Sequence, residues 1–390
     1  MIVDIKPSKL KGVVKAPPSK SFLHRLLICA ALADGESKIG NLAESQDILA
    51  TRDCLNALKN GLSAGKAQNE PVIFNCRESG STLRFFVPIA LLKCQNTIFK
   101  GAPRLIERGI GIYEEVLGNK GVEISKESDG IHVKGELLPG LYEIPGNISS
   151  QYITGLMFAL PLLDKESTIT VLPPVESRAY IDLTLAVLRQ SGIEIIENPK
   201  NTFKIKGNQK YKPLNCDAEG DWSNAAFFFA LKALGHDIEV TGLNPESGQG
   251  DRVCIKDFEL LGKEEVSIAE SIDLGPVLMA FAAAKDGGIL TDTKRLRIKE
   301  SDRALVMAEE LKKFKALITV NENDVIIEKS ELQPPLEILE GHNDHRIVMS
   351  LAVLLTLKGG TINGAEAVSK SFPDFFEKLS SLGCELEIRE

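Results

Sequence analysis

Residues 343–360 read NDHRIVMSLAVLLTLKGG, and this stretch decides the fold. Polar residues come first, an apolar run of about three helical turns follows, and a glycine pair closes it. The same shape begins at Ser19 (SKSFLHRLLICAALADG), Glu78 (ESGSTLRFFVPIALL) and Ile148 (ISSQYITGLMFALPLL). It begins again at Asp221 (DWSNAAFFFALKAL) and Ser271 (SIDLGPVLMAFAAA), which makes six copies. These segments are apolar nearly all round, so each is predicted to be a helix buried inside a domain. Their polar residues crowd the N-terminal end, where free backbone N–H groups and the helix dipole favour anions. A chain that repeats this device gathers negative groups.

A second helical type alternates with the first. It is seen in ATRDCLNALKNGL from Ala50, GIGIYEEVLGNKGVEI from Gly109 and YIDLTLAVLRQSGIEI from Tyr180. RALVMAEELKKFKALITV from Arg303 and FPDFFEKLSSLGCELEI from Phe372 complete the set. Each is charged on one face and apolar on the other. Most meet a glycine and then a strand, such as Val122–Ile124 or Ile193–Ile196. Short strands are also predicted at Thr97–Lys100, Thr168–Leu172, His236–Thr241 and Thr361–Asn363. The unit is therefore a buried helix, strands, an amphipathic helix and a strand, too long for the common solenoid repeats.

Six units in 390 residues fit an α/β protein of two domains with three units each. Residues 221–390 are expected to form one domain together with residues 1–17, and residues 18–220 the other. The N-terminal segment (MIVDIKP, LKGVVKAPPS) reads as a strand hairpin belonging with the second domain. Chain crossings at Pro17–Lys20 and near Asp221 would then lie side by side as a hinge.

Composition narrows the function. The longest apolar runs, Phe85–Leu92 and Gly155–Leu163, are too short to cross a bilayer, and MIVDIKPSKLKG has no secretory h-region. Seven dispersed cysteines without a CxxC pair point to free thiols and a cytoplasmic location. A formal charge of −8 argues against nucleic acid as the main partner, while leaving room for a local basic pocket.

Four motifs carry chemistry. In APPSKSFLHR, Pro17 and Pro18 force the helix to start at a serine cap, which puts Lys20 and Arg25 near its N-terminus. Cations there oppose the dipole, a placement that an anion at the same spot would relieve. RLRIKESDR, from Arg295, is a basic run interrupted by Glu300 and Asp302. In GHNDHRIVMS, His342 and His345 are three apart, but no matching Cys or His partner supports a metal. Asp344 and Arg346 open the helix that follows. Two starts rich in small residues, ESGSTLR and GNISSQ, bring Gly80 and the hydroxyls of Ser149 and Ser150 to helix N-termini. Read singly, each motif is a capped helix or a solvated charge run.

Taken together and in order, PPSKSFLHR, SGSTLR, PRLIER, ISSQYITG, SRAYIDLTL, IDLGP, RIKESDR, NDHR and KSFPDFF resemble the 5-enolpyruvylshikimate-3-phosphate synthase family over essentially the full chain. The resemblance implies two similar domains, each of three βαβαββ units with buried helices, an inside-out α/β barrel, joined by a two-crossing hinge. It implies transfer of the enolpyruvyl group of phosphoenolpyruvate to the 5-hydroxyl of shikimate 3-phosphate through a tetrahedral intermediate. This step belongs to the shikimate pathway of aromatic amino acid and chorismate biosynthesis. No metal and no organic cofactor is implied, and the enzyme is expected to be a monomer without nucleic-acid or membrane partners. By motif position, Lys20, Gly80, Arg108, Gln151 and Lys370 are expected at the phosphate of phosphoenolpyruvate, with Arg303 and Arg346 at its carboxylate. Ser21, Arg25, Ser149, Ser150, Gln151, Ser177, Tyr180, Asp273 and Lys299 are expected at shikimate 3-phosphate. Asp273, Glu300 and Lys20 are the expected proton carriers.

Two positions depart from the family pattern. Glu78 and Arg295 stand where many members carry Asn. Gly80, where larger residues crowd phosphonate inhibitors such as glyphosate, is retained and implies sensitivity. The sister transferase that acts on UDP-N-acetylglucosamine is disfavoured. It usually has a cysteine in the loop before its arginine segment and KN at the Lys20–Ser21 position. A DNA sliding clamp, also acidic and repetitive, would line its helices with Lys and Arg, whereas these helices are apolar.

Overall fold

The computed structural model describes residues 1–63 and 70–389. Contacts divide the chain into Met1–Pro18 with Glu219–Glu390, and Ser19–Ala218. The expected boundaries lay at 17/18 and 220/221. Each unit has its own hydrophobic core.

Among the described residues of the Ser19–Ala218 unit, the buried helices are Lys20–Leu32, Gly80–Leu91 and Ser150–Ala159. Three serines cap them: Ser19, Ser79 and Ser149 each accept a backbone N–H of the first turn. Two helices approach closely for a reason the sequence contains. Pro88 has no N–H, so the carbonyl of Arg84 loses its helical donor. The Tyr113 hydroxyl supplies one at 2.9 Å. A Cβ at Gly155 would lie 2.5 Å from that carbonyl and 2.4 Å from the hydroxyl, so only glycine admits this contact. The three positions lock the Gly80–Leu91 helix onto Ser150–Ala159.

The other unit repeats the plan with Trp222–Ala233, Gly275–Ala284 and His345–Lys358. Asp221 and Asp344 cap the outer two. The middle helix is entered through a 3-10 turn at Ile272–Leu274 with Pro276 in its first turn. A short amphipathic helix, Cys254–Leu260, falls outside the predicted pattern.

Each unit carries two four-stranded sheets and one parallel strand pair among the described residues. Every four-stranded sheet has one order: a parallel pair, then two strands joined antiparallel. The N-terminus follows this rule and corrects the expected hairpin. Ile2–Ile5 pairs antiparallel with Gly360–Asn363 and with Leu386–Arg389, so it fills the third place of the last sheet. Lys11–Lys15 pairs parallel with Asp237–Thr241 in a different sheet. The two strands do not pair because the link between them, KPSKL, lacks a tight hairpin turn and contains Pro7. At the point where the chain leaves and re-enters this unit, Pro18 bridges Gly220, and Asp221 N–H donates to Pro17 O at 2.8 Å.

Candidate active site

In the Ser19–Ala218 unit, hydrogen bonds link helix starts. Lys20 Nζ donates to Asp47 Oδ2 at 2.8 Å, both side chains mostly buried. Asp47 is thus an anion that offsets a lysine set against the helix dipole. Arg25 lies fully inside, its guanidinium over the Phe85 ring at 5.4 Å. It donates to Thr184 Oγ1 at 2.8 Å, Ser21 O at 2.6 Å, Tyr180 O at 3.0 Å and Thr154 Oγ1 at 3.5 Å. All four acceptors are neutral. A buried cation satisfied only by neutral oxygens favours an anion nearby. Burial pulls its pKa down to about 10.

Gly80 opens its helix beside two guanidinium groups. A Cβ there would stand 3.1 Å from Arg84 Nη1 and 3.5 Å from Arg108 Nη2. Arg84 Nη1 donates to Gln151 Oε1 at 2.5 Å, and Gln151 Nε2 donates to Ser81 Oγ at 2.8 Å. Gln151 itself is placed by the cap at Ser149, with Ser150 buried next to it. Ser177 precedes the Arg178–Gln190 helix with φ +56°, a left-handed conformation uncommon for serine and held at low exposure. The Tyr180 N–H donates to its carbonyl at 3.1 Å. Of the expected residues in this unit, Lys20, Ser21, Gly80, Ser149, Ser150, Gln151, Ser177 and Tyr180 lie at or beside helix N-termini, Arg25 lies one turn further in, and Arg108 ends the Pro103–Arg108 helix with its guanidinium near Gly80.

In the other unit the hub is Arg303, the first residue of the Arg303–Lys313 helix, with a side chain 1% exposed. Its Nε donates to Asp344 Oδ2 at 2.8 Å and its Nη1 to Asp273 Oδ1 at 2.8 Å. Its Nη2 reaches Glu300 Oε2 at 2.6 Å and Asp344 Oδ1 at 3.2 Å. One guanidinium thus fixes three carboxylates that come from three helix starts. Burial alone would lower its pKa, but the charges of Asp344, Glu300 and Asp273 outweigh burial and raise it.

Asp273 also faces Lys299 Nζ at 3.2 Å and Arg346 Nη2 at 3.5 Å. Burial lowers the pKa of Lys299, with Asp273 pulling the other way and Arg303 pushing it further down. Arg346 Nη2 donates to Ser223 Oγ at 2.9 Å, and Ser223 donates to the cap Asp221 at 2.8 Å. The Asp221 start, read from sequence only as a chain crossing, therefore joins the network. Lys370 Nζ donates to Asn343 O at 2.5 Å, one residue before Asp344. Arg295 is buried and turned to the carbonyl of Ala269. Glu78 is half-buried directly before the Ser79 cap.

Sequence reading missed Asp47, Arg84, Asp221, Ser223 and Asp344 as parts of these networks. Arg84 carried a signal, being a lone arginine inside an apolar helix. Asp344 reads from sequence only as a residue that opens its helix with Arg346, yet its side chain is fully buried against Arg303. His342 Nε2 lies 3.0 Å from Glu310 Oε1. Among the described residues, the one group with metal-ligand spacing is Glu127, Asp129 and His132, outside both networks. All seven cysteines are free thiols.

Comparison with known proteins gives one consistent result. The family model for EPSP synthase (3-phosphoshikimate 1-carboxyvinyltransferase) matches residues 5–264 and 256–379. A 3-phosphoshikimate 1-carboxyvinyltransferase of Clostridium perfringens is 40% identical over 98% of both chains. That of Clostridium acetobutylicum is 39% identical over 98% of this chain and 97% of its own. Among solved structures, an EPSP synthase from Acinetobacter baumannii superposes with a TM-score of 0.77 at 25% identity, covering 99% of this chain and 100% of the other.

Proposed function

The chain belongs to the EPSP synthase family, and from that premise we propose which of its residues carry each part of the reaction. It transfers the enolpyruvyl group of phosphoenolpyruvate to the 5-hydroxyl of shikimate 3-phosphate, releasing phosphate, in the shikimate pathway. Both substrates are small polyanions, so the chemistry calls for fixed cations and helix N-termini.

Lys20, Arg108, Gln151 and Lys370 bind the phosphate of phosphoenolpyruvate, and Gly80 lets it approach the backbone. Arg346 and Arg303 receive its carboxylate. Arg303 has a second task, because four of its donors already hold Asp273, Glu300 and Asp344. Ser21, Arg25, Ser149, Ser150, Gln151, Ser177, Tyr180 and Lys299 bind shikimate 3-phosphate. Arg25 supplies a preformed buried charge for it.

The reaction proceeds by addition and elimination. Glu300 delivers a proton to the methylene carbon of phosphoenolpyruvate, while the 5-oxygen of the second substrate bonds to C2. Asp273, held between Arg303, Lys299 and Arg346, takes the hydroxyl proton. Phosphate then leaves C2, and Glu300 removes a proton from the new methyl group to restore the double bond. Lys20 neutralises charge on the departing phosphate. The observation that carries this reading is that one buried arginine fixes both proposed proton carriers, Asp273 and Glu300. Precise placement of such groups is what proton transfer requires.

Phosphate release tests the substrate assignment. Phosphoenolpyruvate with shikimate 3-phosphate is expected to turn over, and phosphoenolpyruvate with UDP-N-acetylglucosamine is not. The reverse pattern refutes it. We further propose that the enzyme works as a cytoplasmic monomer, which sedimentation equilibrium checks. No helix among the described residues is long and apolar enough to cross a membrane.

A further inference from the structure

The turn that precedes Asp344 is strained. His342 and Asn343 both have φ +50°, the left-handed region that non-glycine residues seldom occupy, and form the centre of a turn closed by the Asp344 N–H to Gly341 O bond. Such a conformation is unfavourable for a side chain other than glycine and persists only where its surroundings hold it. The next residues are the cap Asp344, the buried His345 and Arg346. The carbonyl of Asn343, inside the strained pair, receives Lys370 Nζ.

A buried carboxylate on another helix contacts the turn. Glu310, about two turns along from Arg303 on the Arg303–Lys313 helix, is 2% exposed. Its Oε2 accepts the backbone N–H of Glu340 at 3.0 Å. Its Oε1 faces His342 Nε2 at 3.0 Å, and because a carboxylate only accepts, Nε2 carries the proton. Lys313 Nζ donates to the same carboxylate at 3.0 Å and to Ile338 O at 3.0 Å. Gly341 N–H is tied to Asn363 O at 2.8 Å, and Asp344 N–H to Gly341 O at 2.9 Å. Glu310 thus grips the entering strand and the first strained residue together.

We propose that Glu310 and His342 form a positioning clamp that holds the His342–Asn343 turn in its strained form. Through that turn the clamp sets the Asn343 carbonyl for Lys370 and the direction in which Asp344 and Arg346 enter the site. Neither Glu310 nor His342 touches substrate in this scheme. The proposal rests on the assignment of Lys370 and Arg346 to phosphoenolpyruvate. It explains why a buried carboxylate lies on the face of the Arg303–Lys313 helix that meets the loop.

The test is a double-mutant cycle with Glu310→Gln, His342→Ala and the double variant, with Lys370→Met and the unaltered enzyme measured alongside. KM for each substrate and kcat are read from phosphate release at a temperature where all variants are folded by circular dichroism. Each single variant is expected to raise the KM for phosphoenolpyruvate about tenfold, and the double variant no further than about the larger single effect. The KM for shikimate 3-phosphate should change less than about twofold, because most of its proposed ligands lie in the other unit. Should Glu310→Gln not fold, His342→Ala decides alone, since that side chain reaches the surface. Unchanged KM for phosphoenolpyruvate, effects that multiply, or an equal rise for both substrates would overturn the clamp. If Lys370→Met leaves that KM unchanged, the assignment of Lys370 fails instead, so the two failures are separable.

Discussion

Replacing Gly80 with alanine adds one carbon at a place where the structure states its cost. The new Cβ would lie 3.1 Å from Arg84 Nη1 and 3.5 and 3.7 Å from the two terminal nitrogens of Arg108. Non-bonded heavy atoms prefer about 3.5–4.0 Å, so Arg84 must retreat by a few tenths of an ångström. It has little freedom to do so, being bonded to Gln151 at 2.5 Å and set over the Tyr152 ring at 5.2 Å. Movement of Arg84 therefore also moves Gln151, while the methyl group fills the space proposed for a phosphate oxygen. Losing one charge-assisted hydrogen bond to that oxygen costs about 1.5–3 kcal/mol. The KM for phosphoenolpyruvate should accordingly rise about ten- to hundredfold. Folding stability should change by less than about 1 kcal/mol, because the crowding of Arg84 opposes the helical preference of alanine over glycine. Inhibition by glyphosate, expected for the unaltered enzyme, should weaken in parallel. Steady-state phosphate release with varied phosphoenolpyruvate, together with a thermal melt, provides the assay. A KM within about twofold of normal would refute the placement of this phosphate beside Gly80.

Three further outcomes are expected. Asp273→Asn should lower kcat by about a hundredfold or more, as for loss of a positioned proton acceptor; a smaller effect in single-turnover kinetics would move that role elsewhere. Arg303→Met would leave Asp344 buried without its partner and should destabilise its unit by about 3–5 kcal/mol, read from the urea midpoint; an unchanged midpoint would contradict the hub. Burial raises the pKa of Asp257 to about 6 from 3.8, and its Oδ2 has no hydrogen-bond partner. The native state then binds the extra proton between these values, so stability attached to this group is present below about pH 4 and is lost as pH rises through about 6. Asp257→Asn should stabilise the protein at pH 7.5 by about 2 kcal/mol after allowance for solvent screening and by nothing near pH 4. A pH-independent difference in urea titrations would contradict the assignment.

The buried helices were legible because the signal is local. An apolar stretch such as Phe85–Leu91 admits no solvent face, and a serine or aspartate before it marks the cap. The proposed site residues were legible through motifs whose members are close in sequence, such as Lys299, Glu300 and Arg303. What stayed hidden was pairing across long separations. Nothing around Ile2–Ile5 indicates that its neighbours are Gly360–Asn363 and Leu386–Arg389, so a local hairpin looked the simpler choice. Asp47 and Glu310 lie on amphipathic helices, where an acidic residue reads as part of a solvated face. Only the packing shows that one neutralises Lys20 and that the other is buried against a strained turn. Arg303 was read as a substrate ligand because its motif carries that role, whereas its bonds to three carboxylates needed coordinates.

Glu300 is proposed to add and then remove a proton at the methylene carbon as this chain joins phosphoenolpyruvate to shikimate 3-phosphate. Running the reaction in D2O and reading the product by proton NMR tests this directly. The unaltered enzyme should place deuterium in the vinyl group of the product. Glu300→Gln should bind both substrates by calorimetry yet incorporate deuterium and release phosphate at least about a hundredfold more slowly. Product formed without deuterium would contradict addition and elimination, and normal incorporation by Glu300→Gln would remove Glu300 from the chemistry.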